Sequence, residues 1–157
     1  MKPVPIAALV LLAAPGALAT EINVSYDPDF AEELADNYGE REGEYLTKEV
    51  SKDLNRELTK AGIDVARINV TIINAKPNKP TFKQMGDKPG LDFGRSKSIG
   101  GMKLSATAYD SDGTTTGELT YDWYETDLRN AGLWTWSDAN RASGFFARKF
   151  VDVLEGN

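Results

Sequence analysis

Three carboxylates lie close together in the stretch YDWYETD, residues 121–127. Two acidic side chains that face one cleft at a suitable separation can hydrolyse a glycoside, and Asp122, Glu125 and Asp127 are of the required type. The aromatic residues beside them could stack on sugar rings. Alternation along a regular strand places Asp122 and Glu125 on opposite faces, which counts against that pair. Because the sequence does not set the separation, a carboxylate-based glycan hydrolase stays an alternative function.

The chain contains no histidine and no cysteine, which limits other chemistry. Ser–His and Cys–His nucleophile pairs, histidine-based zinc sites and imidazole pH switches are excluded. Asp110 and Asp112 in DSDG resemble the beginning of a calcium loop, but no Glu occupies the twelfth position. An Asp-Gly hairpin turn explains these residues at least as well. The main prediction is therefore a protein with no catalytic residues, no metal site and no cofactor.

The densest run of positive charge lies in AKPNKPTFKQMGDKPGLDFGRSKSIGGM, residues 75–102. Long connections are uncommon within a compact domain and often carry function, and three prolines restrict the backbone of this one. The predicted binding residues are its central cations and aromatic rings: Lys79, Phe82, Lys83, Phe93, Arg95 and Lys97.

The segment has two other interpretations. In the first, Phe82, Met85, Leu91 and Phe93 pack onto the sheet, and the lysines only keep the segment hydrated. In the second, GLDFGRSKSIGG would bind a nucleotide phosphate. The stretch lacks both the Gly-Lys-Ser/Thr ending of a P-loop and the G-x-G-x-x-G turn of dinucleotide-binding domains, so nucleotide binding is rejected.

The elements that would position these residues are indicated by hydrophobic periodicity. Strands are predicted at residues 21–26 and 66–73, and an antiparallel hairpin at residues 100–110 and 117–128. Two helices show apolar stripes at helical spacing: Leu46, Val50, Leu54 and Leu58 in one, and Ala139, Ala142, Phe146, Phe150 and Val153 in the other. Thr135 and Asp138 resemble a capping box at the beginning of the last helix. We predict an α+β fold in which two main helices pack on one face of a small, mostly antiparallel sheet of about four strands.

The chain begins MKPVPIAALVLLAAPGALATE, which has the charged start, short apolar run and small-residue cleavage site of a secretory signal peptide. We predict a signal peptide at residues 1–19 and a single domain at residues 20–157 that contains the long loop 75–101. The apolar run is shorter than a membrane span, and no Cys is present to carry a lipid. The expected product is a soluble periplasmic or secreted protein that is not lipid-anchored.

The negative net charge of the chain disfavours two classes of partner, nucleic acids and anionic membranes. The chain has 24 Asp and Glu against 18 Lys and Arg, and general binding to nucleic acid or to an anionic membrane needs surplus positive charge.

Between Leu46 and the C-terminus, the sequence contains a helix that ends in LTKAGI, a turn YDSDGTTTG and a tail FFARKF. In this layout, the region resembles small bacterial periplasmic and lipoprotein-type envelope domains of unknown function. The resemblance implies helices packed on an antiparallel sheet, and it transfers no catalytic residue. This chain lacks the lipidated Cys of such domains.

Together these observations predict a non-catalytic binding or accessory protein of the periplasm. Its partner would be an envelope protein or an anionic envelope polymer, contacted through the basic and aromatic loop. A sheet covered on one face also leaves the other face free for water, a partner or a second copy, so a homodimer is a further prediction.

Overall fold

The structure is a computed structural model that describes residues 19–157. In chain order the elements are β1 (Glu21–Tyr26), α1 (Pro28–Glu33), a π-helical turn (Leu34–Tyr38), α2 (Glu40–Ala61), β2 (Arg67–Lys76), α3 (Phe82–Asp87), β3 (Gly101–Tyr109), β4 (Thr115–Tyr124) and α4 (Ser137–Glu155). The predicted signal peptide lies outside the described residues, apart from Ala19. Among the helices of the described range, none combines the length and apolar character needed to cross a bilayer.

The four strands form one sheet in the order β1-β2-β3-β4. β1 runs parallel to β2, whereas the β2–β3 and β3–β4 pairs are antiparallel. Parallel neighbours cannot be joined by a tight turn, and the stretch from α1 through α2 supplies the required crossover. At the β3–β4 turn, the Asp110 carboxylate accepts hydrogen bonds from the backbone N–H of Asp112 at 3.1 Å and of Thr114 at 3.0 Å. The predicted α+β class is confirmed.

Helices α2 and α4 bury their predicted apolar stripes against one face of the sheet. Leu46, Val50 and Leu54 of α2 are fully buried. Phe146 and Phe150 of α4 stack with their ring centroids 5.8 Å apart. The inward side chains of the central strands complete this core: Ile68, Val70, Ile72, Met102, Leu104, Ala106 and Ala108. Hydrophobic burial between the two helices and the sheet therefore holds the fold together.

The opposite face of the sheet is polar. Asn23, Asn69, Thr107 and Glu118 lie side by side across the four strands, and their side chains are exposed or half-buried. A polar outward face is typical of an antiparallel sheet that has one face in contact with water. Homodimerisation through this face stays a prediction.

The predicted strand and loop boundaries differ from the structure near residue 75. Strand β2 continues to Lys76 because pairing with β3 resumes after a bulge at Ile73, which brings Ala75 opposite Met102. Helix α3 then occupies part of the stretch predicted to be a loop. Thr81 and Gln84 explain this helix, because each side chain hydrogen-bonds to the backbone N–H of the other in a capping box.

Gly43 lies inside α2, although glycine is an unfavourable residue in a helix interior. The glycine is needed there because the helix passes very close to β1 and to the π-helical turn. A Cβ at residue 43 would lie 2.9 Å from the Tyr26 hydroxyl oxygen and 3.0 Å from Cδ1 of Leu34.

Two phenylalanines of opposite exposure test this description of the core. Phe146 is completely buried, and Phe146→Ala should lower the free energy of unfolding by about 3–5 kcal/mol because it leaves a cavity. Phe82 is 87% exposed, so Phe82→Ala should change the free energy of unfolding by no more than about 0.5 kcal/mol. Urea denaturation of both variants measures the difference, and equal losses would contradict the packing described here.

Candidate functional site

The stretch between β2 and β3, residues 77–100, is named the connecting segment. Its two ends are hydrogen-bonded to each other. The Ser98 hydroxyl donates to the Pro77 carbonyl at 2.7 Å, and the Ser98 backbone N–H donates to the Asn78 carbonyl at 2.9 Å. The segment therefore leaves the body of the protein and returns to it at one place.

A buried pair of polar side chains, Asn78 and Asp138, lies at that place. Both residues are completely buried. The Asn78 side-chain amide donates to the Asp138 carboxylate and to the Ser98 carbonyl, and the Asn78 side-chain oxygen accepts from the Asp138 backbone N–H at 2.8 Å. The Asn78 backbone N–H donates to the Thr135 carbonyl at 2.7 Å. The connecting segment is thus joined to the beginning of α4 through both backbone and side chain.

The Asp138 carboxylate also gathers donors from other parts of the chain. It accepts from the backbone N–H groups of Gly100 and Gly132 at 3.2 Å each, and from the Arg141 guanidinium at 3.2 Å. Gly100 fits this arrangement because a Cβ there would lie only 2.7 Å from the Lys76 carbonyl oxygen. A buried polar network whose members are satisfied favours one arrangement of the segments that it joins.

Helix α3 carries two of the six predicted binding residues. Phe82, at its beginning, is 87% exposed. The Lys83 ammonium pairs with the Asp87 carboxylate at 2.6 Å, one helical turn later. The Phe82 ring is therefore exposed to solvent, next to Lys83, whose charge is balanced by Asp87.

Lys79 and Phe93 face each other within the connecting segment. Lys79 is only 8% exposed, and its ammonium donates to the Gly94 carbonyl at 3.1 Å. The same ammonium lies 5.8 Å from the centre of the Phe93 ring, which is itself 6.5 Å from the ring of Trp134. A lysine that the sequence predicts as a surface contact is thus turned inward.

Arg95 and Lys97 complete the predicted set. Arg95 is exposed, and its backbone N–H donates to the Asp92 carboxylate at 2.9 Å. Lys97 is half-buried.

A groove of about 890 Å³ lies between the beginning of α2, the beginning of α3 and residues 134–136. We call it the aromatic groove because five rings line it: Tyr38, Tyr45, Phe82, Trp134 and Trp136. Trp134 is 73% exposed, whereas Trp136 is buried. Apolar and aromatic walls of this kind, with a few polar groups, are typical of ligand sites.

The polar groups of the aromatic groove are held in place by neighbours. The Trp136 indole N–H donates to the Glu42 carboxylate at 2.6 Å, and the Tyr45 hydroxyl accepts from the Asn140 amide at 2.7 Å. The Tyr38 hydroxyl donates to the Glu33 carboxylate at 2.8 Å. Burial, and then the hydrogen bond to Glu33, raise the pKa of Tyr38 well above its ordinary value, so its phenol stays neutral to more alkaline pH.

A smaller cavity of about 520 Å³ lies inside the connecting segment and shares Tyr38 as a wall. We call it the lysine pocket because Lys76, Lys79 and Lys97 line it. None of its lining residues, all within the described part of the chain, is acidic. The structure therefore brings Lys79 and Lys97 together in one cavity, and Phe82 and Lys83 together in another.

The sequence anticipated part of this arrangement. Four of the six predicted binding residues line one of the two cavities: Phe82 and Lys83 line the aromatic groove, and Lys79 and Lys97 line the lysine pocket. The contributions of Tyr38 and Tyr45 were missed, because the helical spacing of Tyr38 marks it only as a core residue. Asp138 was interpreted as part of a capping box with Thr135, but its carboxylate faces Asn78 and α4 has no side-chain cap.

The three carboxylates of YDWYETD lie in different environments and make different contacts. Asp122 is exposed on the polar face of the sheet. The Glu125 carboxylate accepts from the backbone N–H groups of Thr126 and Asp127 and so shapes its own turn. Hydrogen bonds from Arg129 lower the pKa of Asp127, which makes it a poor general acid.

Another groove, of about 710 Å³, lies between β4, α4 and the end of α2. The Trp123 and Phe145 rings meet edge to face at 5.2 Å, and the Arg148 guanidinium lies over Phe145 at 5.2 Å. The rings therefore seal the edge of the core and carry cations on their outer side. Across residues 19–157, no group of three or more acidic side chains is placed to hold a metal ion.

No protein-family model and no curated protein matches this chain. A solved structure of a minor lipoprotein from Acinetobacter baumannii is similar, with a TM-score of 0.38 and 11% sequence identity over 86% of this chain and 93% of that chain. At this level of similarity, no functional argument for this chain rests on that protein.

The buried pair makes a prediction about stability. Asn78→Ala should lower the free energy of unfolding by about 2–4 kcal/mol, because the buried Asp138 carboxylate loses a donor. Amide hydrogen exchange at Ser98 and Gly100 should also become faster. Asn55→Ala is the matched control, because the Asn55 amide donates to a backbone carbonyl on the exposed side of α2, at 3.0 Å. A loss in Asn78→Ala no larger than in the control would contradict the role of the pair.

The raised pKa of Tyr38 makes a prediction about alkaline pH. In the unfolded chain the tyrosine loses its proton near pH 10.0, whereas in the folded protein it keeps it to higher pH. The free energy of unfolding should therefore fall as the pH rises above about 10. This decline should be smaller in Tyr38→Phe than in wild type, as measured by urea denaturation across pH 8–11. Tyr45→Phe, at a more exposed position, is the control, and an unchanged slope in Tyr38→Phe would contradict the assignment.

Proposed function

We propose that this protein is a non-catalytic binding protein of the bacterial cell envelope, and that it contacts an envelope protein or an anionic envelope polymer through the connecting segment and the aromatic groove. The observation that carries the proposal is the exposure of Phe82 and Trp134 at this groove, at 87% and 73%. Large rings grouped on the surface are typical of contact sites, where aromatic anchors supply much of the binding energy.

The base of the connecting segment supports the same proposal. Asn78 and Asp138 fix the place where the segment meets α4, so binding would order fewer backbone groups than in a free loop. The segment also carries five Lys and Arg residues against two Asp, in a chain whose net charge is −6. This local excess of positive charge is suited to an anionic partner.

The proposed cellular location of the protein and its proposed homodimer rest on the sequence. Residues 1–19 have the pattern of a signal peptide, which favours a periplasmic or secreted protein without a lipid anchor. A homodimer through the open sheet face would have to pair polar side chains. The glycan hydrolase stays the alternative function, and the pairing of Asp127 with Arg129 lends it no support.

Co-sedimentation with isolated envelope fragments tests the proposal. Phe82→Ala combined with Trp134→Ala should weaken binding at least tenfold, a loss of about 1.4 kcal/mol or more, because two exposed anchors are truncated. Lys83→Glu combined with Arg95→Glu should also weaken binding, by reversing charge on the connecting segment.

Two controls match these variants. Leu128→Ala truncates an exposed apolar residue outside the groove, and Lys48→Glu combined with Lys52→Glu reverses exposed charges on α2. Both should bind as wild type does. Equal binding by all variants would contradict the proposed site, and release of soluble glycan from the fragments would instead favour the hydrolase.

A further inference from the structure

Lys79 is a buried cation without a carboxylate partner. Its residue is 8% exposed, and its ammonium has the Gly94 carbonyl as acceptor and the Phe93 ring as a neighbour. Among the ion pairs found in residues 19–157, none includes Lys79. An ammonium offers three donors, and removing it from water without a counter-ion is costly. This imbalance would be relieved by an anion that enters from outside.

The lysine pocket is suited to such an anion. Lys76 and Lys97 line the same cavity as Lys79, and no acidic residue of the described chain lines it. The two aspartates of the connecting segment have other contacts: Asp87 pairs with Lys83, and Asp92 accepts from backbone N–H of Arg95. Three lysine residues therefore line a cavity in which no wall residue carries a compensating negative charge.

Neutral polar groups add donors at the same cavity. The Gln84 side-chain oxygen accepts from the Thr81 backbone N–H at 3.0 Å, which leaves its amide nitrogen as a donor. The Ser96 hydroxyl oxygen accepts from the Asp92 backbone N–H at 3.1 Å, which leaves its proton for another acceptor. Both residues line the lysine pocket. A ligand group that only accepts hydrogen bonds matches these donors.

The size and walls of the pocket indicate more than an inorganic ion. Its volume of about 520 Å³ falls in the range of small-molecule sites. Pro77, Pro80, Leu91 and Ile99 give it apolar walls that can pack against carbon atoms of a ligand. Three cations are also better matched by a phosphate monoester, with nearly two negative charges, than by one carboxylate.

We infer that the lysine pocket binds a phosphate monoester of a sugar or polyol, with Lys79, Lys76 and Lys97 around the phosphate. This inference rests on the proposed function, because it names the chemistry that the connecting segment would recognise on an anionic envelope component. The same group could be a free small molecule or the end of a polymer.

Calorimetry and thermal unfolding test the inference with glucose 1-phosphate, glycerol phosphate and inorganic phosphate as probes. The two esters should bind wild-type protein and raise its unfolding temperature. Inorganic phosphate should bind more weakly, because it leaves the apolar walls uncovered. Glucose, glycerol and acetate should not bind. No binding of either ester, or acetate binding as tightly as the esters, would overturn the inference.

Lys79→Met is the decisive variant, because methionine preserves most of the buried stem and removes the charge. It should lose at least tenfold in affinity for the esters, while its unfolding temperature without ligand equals or exceeds that of wild type. A purely structural lysine would instead lower that temperature. Lys88→Met, at an exposed lysine of the same segment, is the control and should bind as wild type does. Ester binding by Lys79→Met at wild-type affinity would refute the site.

A phosphate-terminated glycan in place of the small esters distinguishes the two sources. Tighter binding of the polymer favours a polymer end, and tighter binding of the esters favours a free small molecule. Ester binding can also be separated from the proposed function. If the esters fail but envelope binding still depends on Phe82 and Trp134, only the present inference falls. If the esters bind but envelope fragments do not, only the proposed function falls.

Discussion

The contact between Asn78 and Asp138 sets the geometry of both candidate cavities. A carboxylate in the interior is stabilised only when its oxygens receive donors, and these come from Asn78, Gly100, Gly132 and Arg141. The Asp138 carboxylate therefore receives its hydrogen bonds only when these segments, which are far apart in sequence, come together. Residues next to Asn78 line the lysine pocket, and the residues just before Ser137 line the aromatic groove. The polar contact at the base thus fixes where both cavities can form.

The two cavities differ in the residues that the connecting segment contributes to them: a phenylalanine and a lysine to the aromatic groove, and mainly lysines, prolines and other aliphatic residues to the lysine pocket. The aromatic groove exposes Phe82 and Trp134 to solvent, whereas three lysines line the lysine pocket. Tyr38 forms a wall of both, and a tyrosine phenol carries no charge near pH 7. A neutral wall adds no negative charge to the recess, so the field of the lysines is not cancelled there. The exposed rings are unfavourably hydrated, whereas the Lys79 ammonium has lost water without gaining a carboxylate partner among the described residues.

The fold was predictable to the extent that it depends on local periodicity. The stripes of α2 and α4 and the alternation of the hairpin follow from residue spacing, and apart from the half-buried Val153 their apolar residues face the core. The sequence prediction was wrong where contacts between distant residues override the local hydrophobic pattern. The bulge at Ile73 breaks the alternation, so the sequence ends β2 too early although its pairing with β3 continues. At the beginning of α4, the spacing of Thr135 and Asp138 suggested a cap, but the Asp138 carboxylate instead accepts a hydrogen bond from the buried Asn78 side-chain amide.

The sequence by itself determined which chemistry is absent, where positive charge concentrates and which helix faces are apolar, because these follow from residue types and from spacing of a few residues. Only the tertiary structure decided which predicted binding residues point outward. Phe82 lies on the surface and Lys79 in the interior, although they are three residues apart. Tyr45 and Trp134 meet at one groove from distant parts of the chain. Burial and proximity depend on contacts between residues far apart in sequence, and local patterns carry no record of those contacts.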